Sequence, residues 1–291
     1  MNLFTSNNLV SQCPLCGTPG YGSSACATCH APAEIIQSVN SRESEPKITG
    51  VLGPSNVGKT VYLGMLMDLL ARGTGGMHGV AQGAFSLQLH RNVMLALERQ
   101  RFPEKTPNEP DRWHWVHCEV STGRKGRAFD VVSPDVAGEA VASELAKPDS
   151  NPTVRNLITN CAGLLVLIDI TKVVSEGKDE EIFAMQLVSY LNGMRTIQRK
   201  KKVEVPVALV FTKVDLCDEP IKNLESFAQT NATRLYKLCE ARLSRFRFFA
   251  SGVAGSAGWL VDQDGRETLV PLRVEPRGII EPFAWLFSQY R

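Results

Sequence analysis

The residues Gly53-Pro54-Ser55-Asn56-Val57-Gly58-Lys59-Thr60 fill the spacing G-x4-G-K-T at every specified position. The chemistry that spacing serves is anion binding. Gly53 and Gly58 allow backbone angles that a side chain resists, so successive N–H groups can turn toward one centre. A helix beginning just after the loop points its positive end at the same anion. In phosphate chemistry Lys59 reaches the β- and γ-phosphates and the Thr60 hydroxyl ligates magnesium. Ser55, Asn56, Val57 and Val61 complete the set expected around the phosphates. An ordinary glycine-rich turn before a helix is the competing reading. The flanks argue against it: Lys47 to Leu52 reads as a short buried strand, and Val61 to Leu70 is apolar at helical spacing.

Two further stretches supply what a phosphate loop needs. Asp135-Val136-Ala137-Gly138-Glu139 lies at the end of an expected strand. An aspartate there holds magnesium through water. Gly138 can present a bare N–H to a γ-phosphate, an interaction that ends when that phosphate leaves. Glu139 either positions water, acts as a base, or caps the helix begun by Ala140. Thr106, in Phe102-Pro103-Glu104-Lys105-Thr106-Pro107, is the candidate hydroxyl for a switch segment, with Thr74 and Thr122 as rivals. Lys59, Thr106, Gly138 and Glu139 together form the expected hydrolytic group.

The third stretch, Thr212-Lys213-Val214-Asp215, follows the buried strand pattern Val205 to Phe211. A carboxylate at Asp215 accepts two hydrogen bonds from guanine, and adenine offers no matching donors; the Lys213 stem covers the purine face. A site built on paired polar groups rejects the wrong base strongly. Ser251 and Gly252, after a last strand, are placed to complete the base pocket with backbone N–H groups.

A separate chemistry sits at the N-terminus. Cys13, Cys16, Cys26 and Cys29 form C-x2-C, nine residues, then C-x2-C. That spacing aims four sulfurs at one tetrahedral zinc. Few apolar residues lie between the pairs, so metal binding would have to supply folding energy on the order of 10 kcal/mol. His30 is read as incidental, and a dithiol redox role lacks a neighbouring βαβ pattern. The other cysteines are scattered in apolar or helical stretches, which suits a reduced compartment.

The elements that must position these groups alternate between strand and helix. Ala31 to Pro46 reads as a linker with a short docked strand, and Arg72 to Gly79 as a loop. Ser86 to Arg101 reads as a helix, and Trp113 to Val120 with Ala128 to Val132 as a hairpin with a basic tip. Gly163 to Ile170 is a nearly continuous apolar run, as a central parallel strand requires. Glu181 to Gln198 is amphipathic and ends in Arg199-Lys200-Lys201-Lys202. Gly258 to Val274 reads as a hairpin turning at Asp262 to Gly265, and Glu281 to Tyr290 as a closing helix. The division expected is a zinc ribbon over 1–30, a linker over 31–46 and a nucleotide-binding domain over 47–291 with a helical insertion around 73–110.

Composition bounds the rest. Of 291 residues, 43% are hydrophobic and 21% charged, with net charge +2; bulk electrostatics therefore favour neither nucleic acid nor anionic membrane. Residues 1–41 contain no Lys or Arg, a poor start for phosphate neutralisation by the cysteine module. The longest apolar run, Ala162 to Ile168, falls short of a membrane span, and residues 1–12 lack the pattern of a signal peptide. A cytoplasmic location is expected.

The phosphate loop, D-x-x-G, T-K-x-D and Ser251-Gly252, in this order, resemble the translation-factor and signalling class of P-loop GTPases over about Lys47 to Arg291. The cysteine pairs, the insertion ending F-P-x-K-T, D-x-x-G-E and the terminal Glu281-Pro282-Phe283-Ala284-Trp285-Leu286 narrow the likeness to the bacterial double-GTPase family. The resemblance implies an α/β fold with a mostly parallel sheet flanked by helices, and GTP or GDP with magnesium beside the zinc ribbon. It implies slow hydrolysis of GTP by a switch that works with a partner protein, as a homo- or hetero-dimer or with an activator, in a defence or regulatory system. A nucleotide-gated adaptor with little hydrolysis is the alternative. Lys59 and Thr60 then take phosphate and magnesium, Asp135 and Gly138 sense the γ-phosphate, and Thr212, Lys213, Asp215 and Ser251 hold guanine. Glu139 stands where many signalling GTPases carry a water-orienting glutamine. Thr212 departs from the commoner asparagine, which implies a weaker brace on the loop. No internal arginine finger is identifiable; Arg72, Arg124 and Arg127 are the candidates.

Overall fold

Gly163–Asp169 is apolar until its last residue and forms a strand buried at every position. Its side chains divide between the two faces of a sheet: Leu164, Val166 and Ile168 enter one core, Leu165 and Leu167 the other. Burial on both faces is what a near-continuous apolar run specifies. The computed structural model describes residues 12–19, 24–42, 46–109, 112–123, 128–175, 178–195, 202–217, 221–261, 265 and 267–290.

The elements in chain order are α1 (Ala33–Asn40), β1 (Lys47–Leu52), α2 (Lys59–Ala71), β2 (Met77–Ala81), α3 (Gly83–Glu98), β3 (Trp115–Thr122), β4 (Ala128–Pro134), α4 (Gly138–Ala146), α5 (Pro152–Asn160), β5 (Gly163–Asp169), α6 (Ile170–Val174), α7 (Asp179–Arg195), β6 (Val207–Thr212), α8 (Leu224–Asn231), α9 (Thr233–Arg242), β7 (Phe246–Ala250), β8 (Gly252–Val261), β9 (Glu267–Arg277) and α10 (Ile280–Gln289). Seven strands form one sheet in the order β2-β3-β4-β1-β5-β6-β7, and β8 pairs with β9 in a separate hairpin. The five strands from β4 to β7 run parallel, whereas β2 and β3 are antiparallel additions at one edge. Helices cover both faces, so this is the mostly parallel α/β architecture that the strand–helix alternation implies.

One face is packed by α2, α3 and α10 through Leu63, Leu66, Leu89, Val93, Phe283 and Leu286. Helix α2 packs tightly on α3 at Gly64, where a Cβ would press on Val93 at 2.6 Å. The other face is packed by α1, α5, α7 and α9, and the cysteine module leans on it as well. Helix α1 replaces the short docked strand expected in the linker. Ala33, Ile36 and Val39 recur at helical spacing and, with Ile35, are buried, so packing rather than a polar linker decides the segment.

A buried polar network ties α1 to the sheet. Ser38 Oγ lies 3.2 Å from His117 Nδ1, His117 Nε2 lies 3.1 Å from Asp130 Oδ1, and Arg42 Nε donates to Asp130 Oδ2 at 2.7 Å. Arg42 also pairs with Glu119. Burial holds His117 below the usual imidazole range, although Asp130 works against it.

Other elements also depart from the sequence reading. Strand β2 forms where a loop was expected: its Gly-containing sequence offers little propensity, and antiparallel pairing with Thr122 to Cys118 supplies the order. Helices α8 and α9 carry too few apolar residues to announce themselves. The hairpin β8–β9 begins at Gly252, not Gly258. The basic tip 124–127, the turn residues 262–264 and the cluster 199–201 lie outside the described residues; Lys202 is exposed.

Candidate functional site

The loop from Gly53 to Gly58 leaves β1 and enters α2, with Asn56 at φ 63° and Gly58 at φ 100°. Glycine accepts the second angle without cost. Gly53 is required for a different reason: a Cβ there would press on the Leu167 carbonyl oxygen at 2.7 Å. The loop borders a groove of about 500 Å³ whose lining includes Ser55, Asn56, Val57, Gly58, Lys59, Thr60 and Val61. Gly53 and Asp135 sit behind that lining.

Lys59 turns back over its own loop, donating to the carbonyls of Gly53 at 3.0 Å and Pro54 at 2.8 Å. Burial pulls its ammonium down to about 8, opposed by Asp135 and Glu139. The Thr60 hydroxyl donates to Asp135 Oδ2 at 2.8 Å, Thr106 Oγ1 donates to the same oxygen at 3.0 Å, and the two hydroxyl oxygens lie 2.9 Å apart. Two hydroxyls from distant parts of the chain therefore meet on one buried carboxylate. Thr74, in a 3-10 turn at Thr74–Gly76, and Thr122, at the end of β3, are not part of this meeting.

Burial raises the Asp135 carboxyl against the hydrogen bond from Thr60 and the charge of Lys59. Its second oxygen, Oδ1, is buried with no hydrogen-bond partner among the described residues. A hard cation takes oxygen ligands, and this donor set, two hydroxyls and a carboxylate with an unsatisfied oxygen, fits magnesium. Gly138 opens α4 directly against the loop, where a Cβ would overlap the backbone of Pro54 and Ser55. Glu139, in the first turn of α4, forms an ion pair with Lys105. Partial burial works against its charged form, but hydrogen bonds from Lys105, its own backbone and Ser55 hold its carboxyl below the usual range.

The far end of the groove is built on the loops after β6 and β7. Thr212 Oγ1 donates to the Val57 carbonyl at 2.9 Å. The brace implied to be weak is thus retained through a single buried bond. Lys213, at φ 61°, donates to Asp169 Oδ2 at 2.6 Å, which anchors its ammonium while its stem lines the groove. Asp215 accepts from the Ala254 N–H at 3.1 Å through Oδ2 and leaves Oδ1 buried and without a partner among the described residues. Burial raises this carboxyl too.

Ser251 and Gly252 line the groove, but the Ser251 N–H expected to complete the base pocket is already engaged. The Ser251 N–H is taken by the Phe211 carbonyl at 2.7 Å, and Gly252 serves by lacking a Cβ that would overlap Asp215. Lys105, Asp169 and Ala254 were not singled out from the sequence. The first two are charged residues at the end of a loop or strand, which is a weak signal; a backbone donor such as Ala254 leaves none.

The cysteines form a separate centre. Their four sulfurs all lie within 4.8 Å of one another, with Cys13–Cys29 at 3.8 Å and Cys16–Cys26 at 3.6 Å. A tetrahedron with bonds of about 2.3 Å has edges of about 3.8 Å, so the cluster fits zinc. Both knuckles repeat one turn: Gly17 N–H donates to Cys13 O at 2.8 Å, and His30 N–H donates to Cys26 O at 2.9 Å. His30 occupies the position of Gly17 with φ 54° against 73°, and contributes its backbone to the turn. The hydrogen bond with Cys29 draws Cys13 down to about 5 and raises Cys29, as expected when one thiolate is shared among close sulfurs.

Comparison with known proteins adds three findings. The family model described as Double-GTPase 1 matches residues 50–238, more than half of the chain. No curated protein matches. Among solved structures that match is a chain of the signal recognition particle receptor SRb-GTP/SRX complex from Chaetomium thermophilum, 14% identical, covering 72% of this chain and 94% of that one with a TM-score of 0.39.

Proposed function

The chain belongs to the Double-GTPase 1 family, and from that premise we propose that it is a GTP-binding switch that slowly hydrolyses GTP to GDP and phosphate. The observation that carries this reading is the convergence of Thr60 and Thr106 on Asp135 at one end of a groove whose other end presents an unsatisfied Asp215 oxygen. The separation suits a nucleotide whose phosphates and base are read independently.

In this reading Lys59 and the loop N–H groups hold the phosphates. Thr60, Thr106 and Asp135 hold magnesium, which when bound neutralises charge on the β- and γ-oxygens. Gly138 faces the γ-phosphate from α4, and Asp215, Lys213, Thr212, Ser251 and Gly252 select guanine. Glu139 orients the attacking water. Residues 1–30 form a zinc module and 31–46 a connection to a nucleotide-binding domain over 47–291, with the insertion around 73–110 carrying Thr106. A partner protein, a second GTPase or an activator, accelerates turnover, in the bacterial defence or regulatory setting that the resemblance implies.

Calorimetry with GTP, GDP and ATP, each with magnesium and with EDTA, tests the assignment. GTP and GDP are expected to bind well above ATP, with GTP dependent on magnesium; equal or tighter binding of ATP would overturn it. Among the described residues no helix is long and apolar enough to cross a membrane.

One observation favours a second reading, the adaptor that binds GTP with little hydrolysis: the ion pair with Lys105 occupies the Glu139 carboxylate. Phosphate release by Glu139→Gln beside the wild type separates the two. A rise marks the adaptor, and a fall marks a working glutamate.

A further inference from the structure

Phosphoryl transfer builds negative charge between the β- and γ-phosphates, and related enzymes commonly meet it with an arginine supplied in cis or by a partner. Three cations line this groove among the described residues: Lys59, Lys105 and Lys213. Lys213 is anchored on Asp169 at the base end, and Lys59 belongs to the phosphate loop. Arg72 pairs with Asp68 away from the groove, while Arg124 and Arg127 lie outside the described residues. Lys105 is the cation left to account for.

Its position is set by its neighbour. Thr106 is bonded to both Thr60 and Asp135, so the preceding residue is held beside the magnesium-binding group. The Lys105 ammonium pairs with Glu139, one residue past the glycine that abuts the loop. Its charge is close enough to Lys59 to disfavour that ammonium. Both partners of the ion pair are substantially exposed, at 56% and 41%. An ion pair that open contributes little stability, and the several negative charges of a triphosphate attract the ammonium more strongly than one carboxylate does.

We propose that Lys105 is a catalytic cation carried in cis, held on Glu139 until the γ-phosphate draws it away. The proposal rests on the reading that this groove hydrolyses GTP. The exchange does two things at once: the ammonium moves onto the phosphoryl oxygens, and the Glu139 carboxylate becomes available to orient water. The water oxygen then bonds to the γ-phosphorus while the bond from that phosphorus to the bridging oxygen breaks. The bridging oxygen leaves with the electron pair on GDP; one water proton stays on the phosphate product and the other passes to solvent. Lys105 donates hydrogen bonds throughout and keeps its protons. A partner then accelerates turnover by stabilising the exchanged arrangement, with no need to contribute a cation of its own.

Single-turnover hydrolysis with excess full-length protein tests this in wild type, Lys105→Ala and Lys105→Arg, beside binding of GDP, magnesium–GTPγS and GDP–aluminium fluoride. Lys105→Ala is expected to lower the rate about 100-fold and to weaken the aluminium fluoride complex, with GDP and GTPγS affinities within about twofold. Lys105→Arg should keep at least about a tenth of the rate, because it keeps the charge. An alanine variant within about threefold of a wild type that does turn over would sink the role of Lys105 and leave the GTPase reading standing. Equal losses in rate and in GTPγS affinity would make Lys105 a ground-state or structural residue, and an arginine variant as slow as alanine would remove charge as the cause; either result overturns the proposal. A wild type that binds GTP without releasing phosphate overturns the hydrolytic reading and this proposal together.

Discussion

The two ends of the groove are built on opposite plans. At the phosphate end the functional groups are bonded to one another: Lys59 to the loop carbonyls, Thr60 and Thr106 to Asp135, and Lys105 to Glu139. Each of those bonds competes with one that a nucleotide or its metal would make. At the base end the bonds tie the surrounding loops to one another. Ala254 holds one oxygen of Asp215, Thr212 holds Val57 and Asp169 holds Lys213. None of these must break when a base arrives. Preorganised groups give selectivity, and groups with two alternative partners give a switch. On the proposed reading, the groove divides selectivity and switching between its ends.

The largest test of that contrast is Asp215→Asn. An amide cannot accept both guanine donors, but it can donate to the carbonyl that xanthine carries in place of the amino group. The ratio of GTP to xanthosine triphosphate affinity is expected to change by about 1000-fold or more, read by competition against a fluorescent GDP. A change under tenfold would mean that the base end is less rigid than drawn.

Gly138→Ala strikes the other end. Its methyl would overlap the Pro54–Ser55 backbone, so magnesium–GTP affinity should fall on the order of 30-fold, from an overpacking cost of about 2 kcal/mol. GDP, which lacks the γ-phosphate, should lose less. Equal losses for the two nucleotides would show that Gly138 shapes the loop without sensing the γ-phosphate.

Proton linkage gives a smaller effect. Burial lowers Lys59 to about 8, and bound phosphates favour its charged form. Nucleotide binding therefore takes up a proton above that value: affinity changes little near pH 7 and falls about tenfold per unit as pH rises beyond 8. Calorimetry in buffers of different ionisation heat measures the uptake; release of protons at pH 8.5 would contradict it. The smallest effect is Thr212→Val, which removes the buried hydroxyl that donates to the Val57 and Ile168 carbonyls and should speed GDP release about fivefold.

Much of this site was legible because its motifs are local. The turn at Gly58, the two cysteine knuckles and the Thr212–Asp215 segment each demand backbone conformations that a few adjacent residues specify. Thr106 is one of three candidates in the sequence and only the folded loop brings it to Thr60, because spacing alone cannot tell which threonine a long insertion folds back. Lys105, Asp169 and Ala254 act through partners distant in the chain, 44 residues for Lys213–Asp169 and 39 for Asp215–Ala254. No local pattern encodes such pairs. The same reason explains the fold: β5 and β6 are stated by apolar runs, whereas β2 exists only because β3 pairs with it. Helix α1 shows a further limit: the segment reads as a linker with a short docked strand, and burial of Ala33, Ile35, Ile36 and Val39 against the core makes it a helix.

The hairpin β8–β9 turns a local event into a mechanical one. Its root is Ala254, bonded to the Asp215 carboxylate, and its register is irregular between Gly252 and Ala257, where a strand bends most easily. From Ala254 to Val261 the strand rises roughly 23 Å at about 3.3 Å per residue. A pivot of about 5° at the root therefore carries the far end through roughly 2 Å. Thr268 and Leu269 in the groove wall pair with Leu260 and Trp259 in the register, so the wall and the exposed Trp259, Leu260 and Val261 move together at the far end. We expect a distance probe between position 260 and α10 to read different values with GTP and GDP; identical values would mean that the hairpin is a fixed wall.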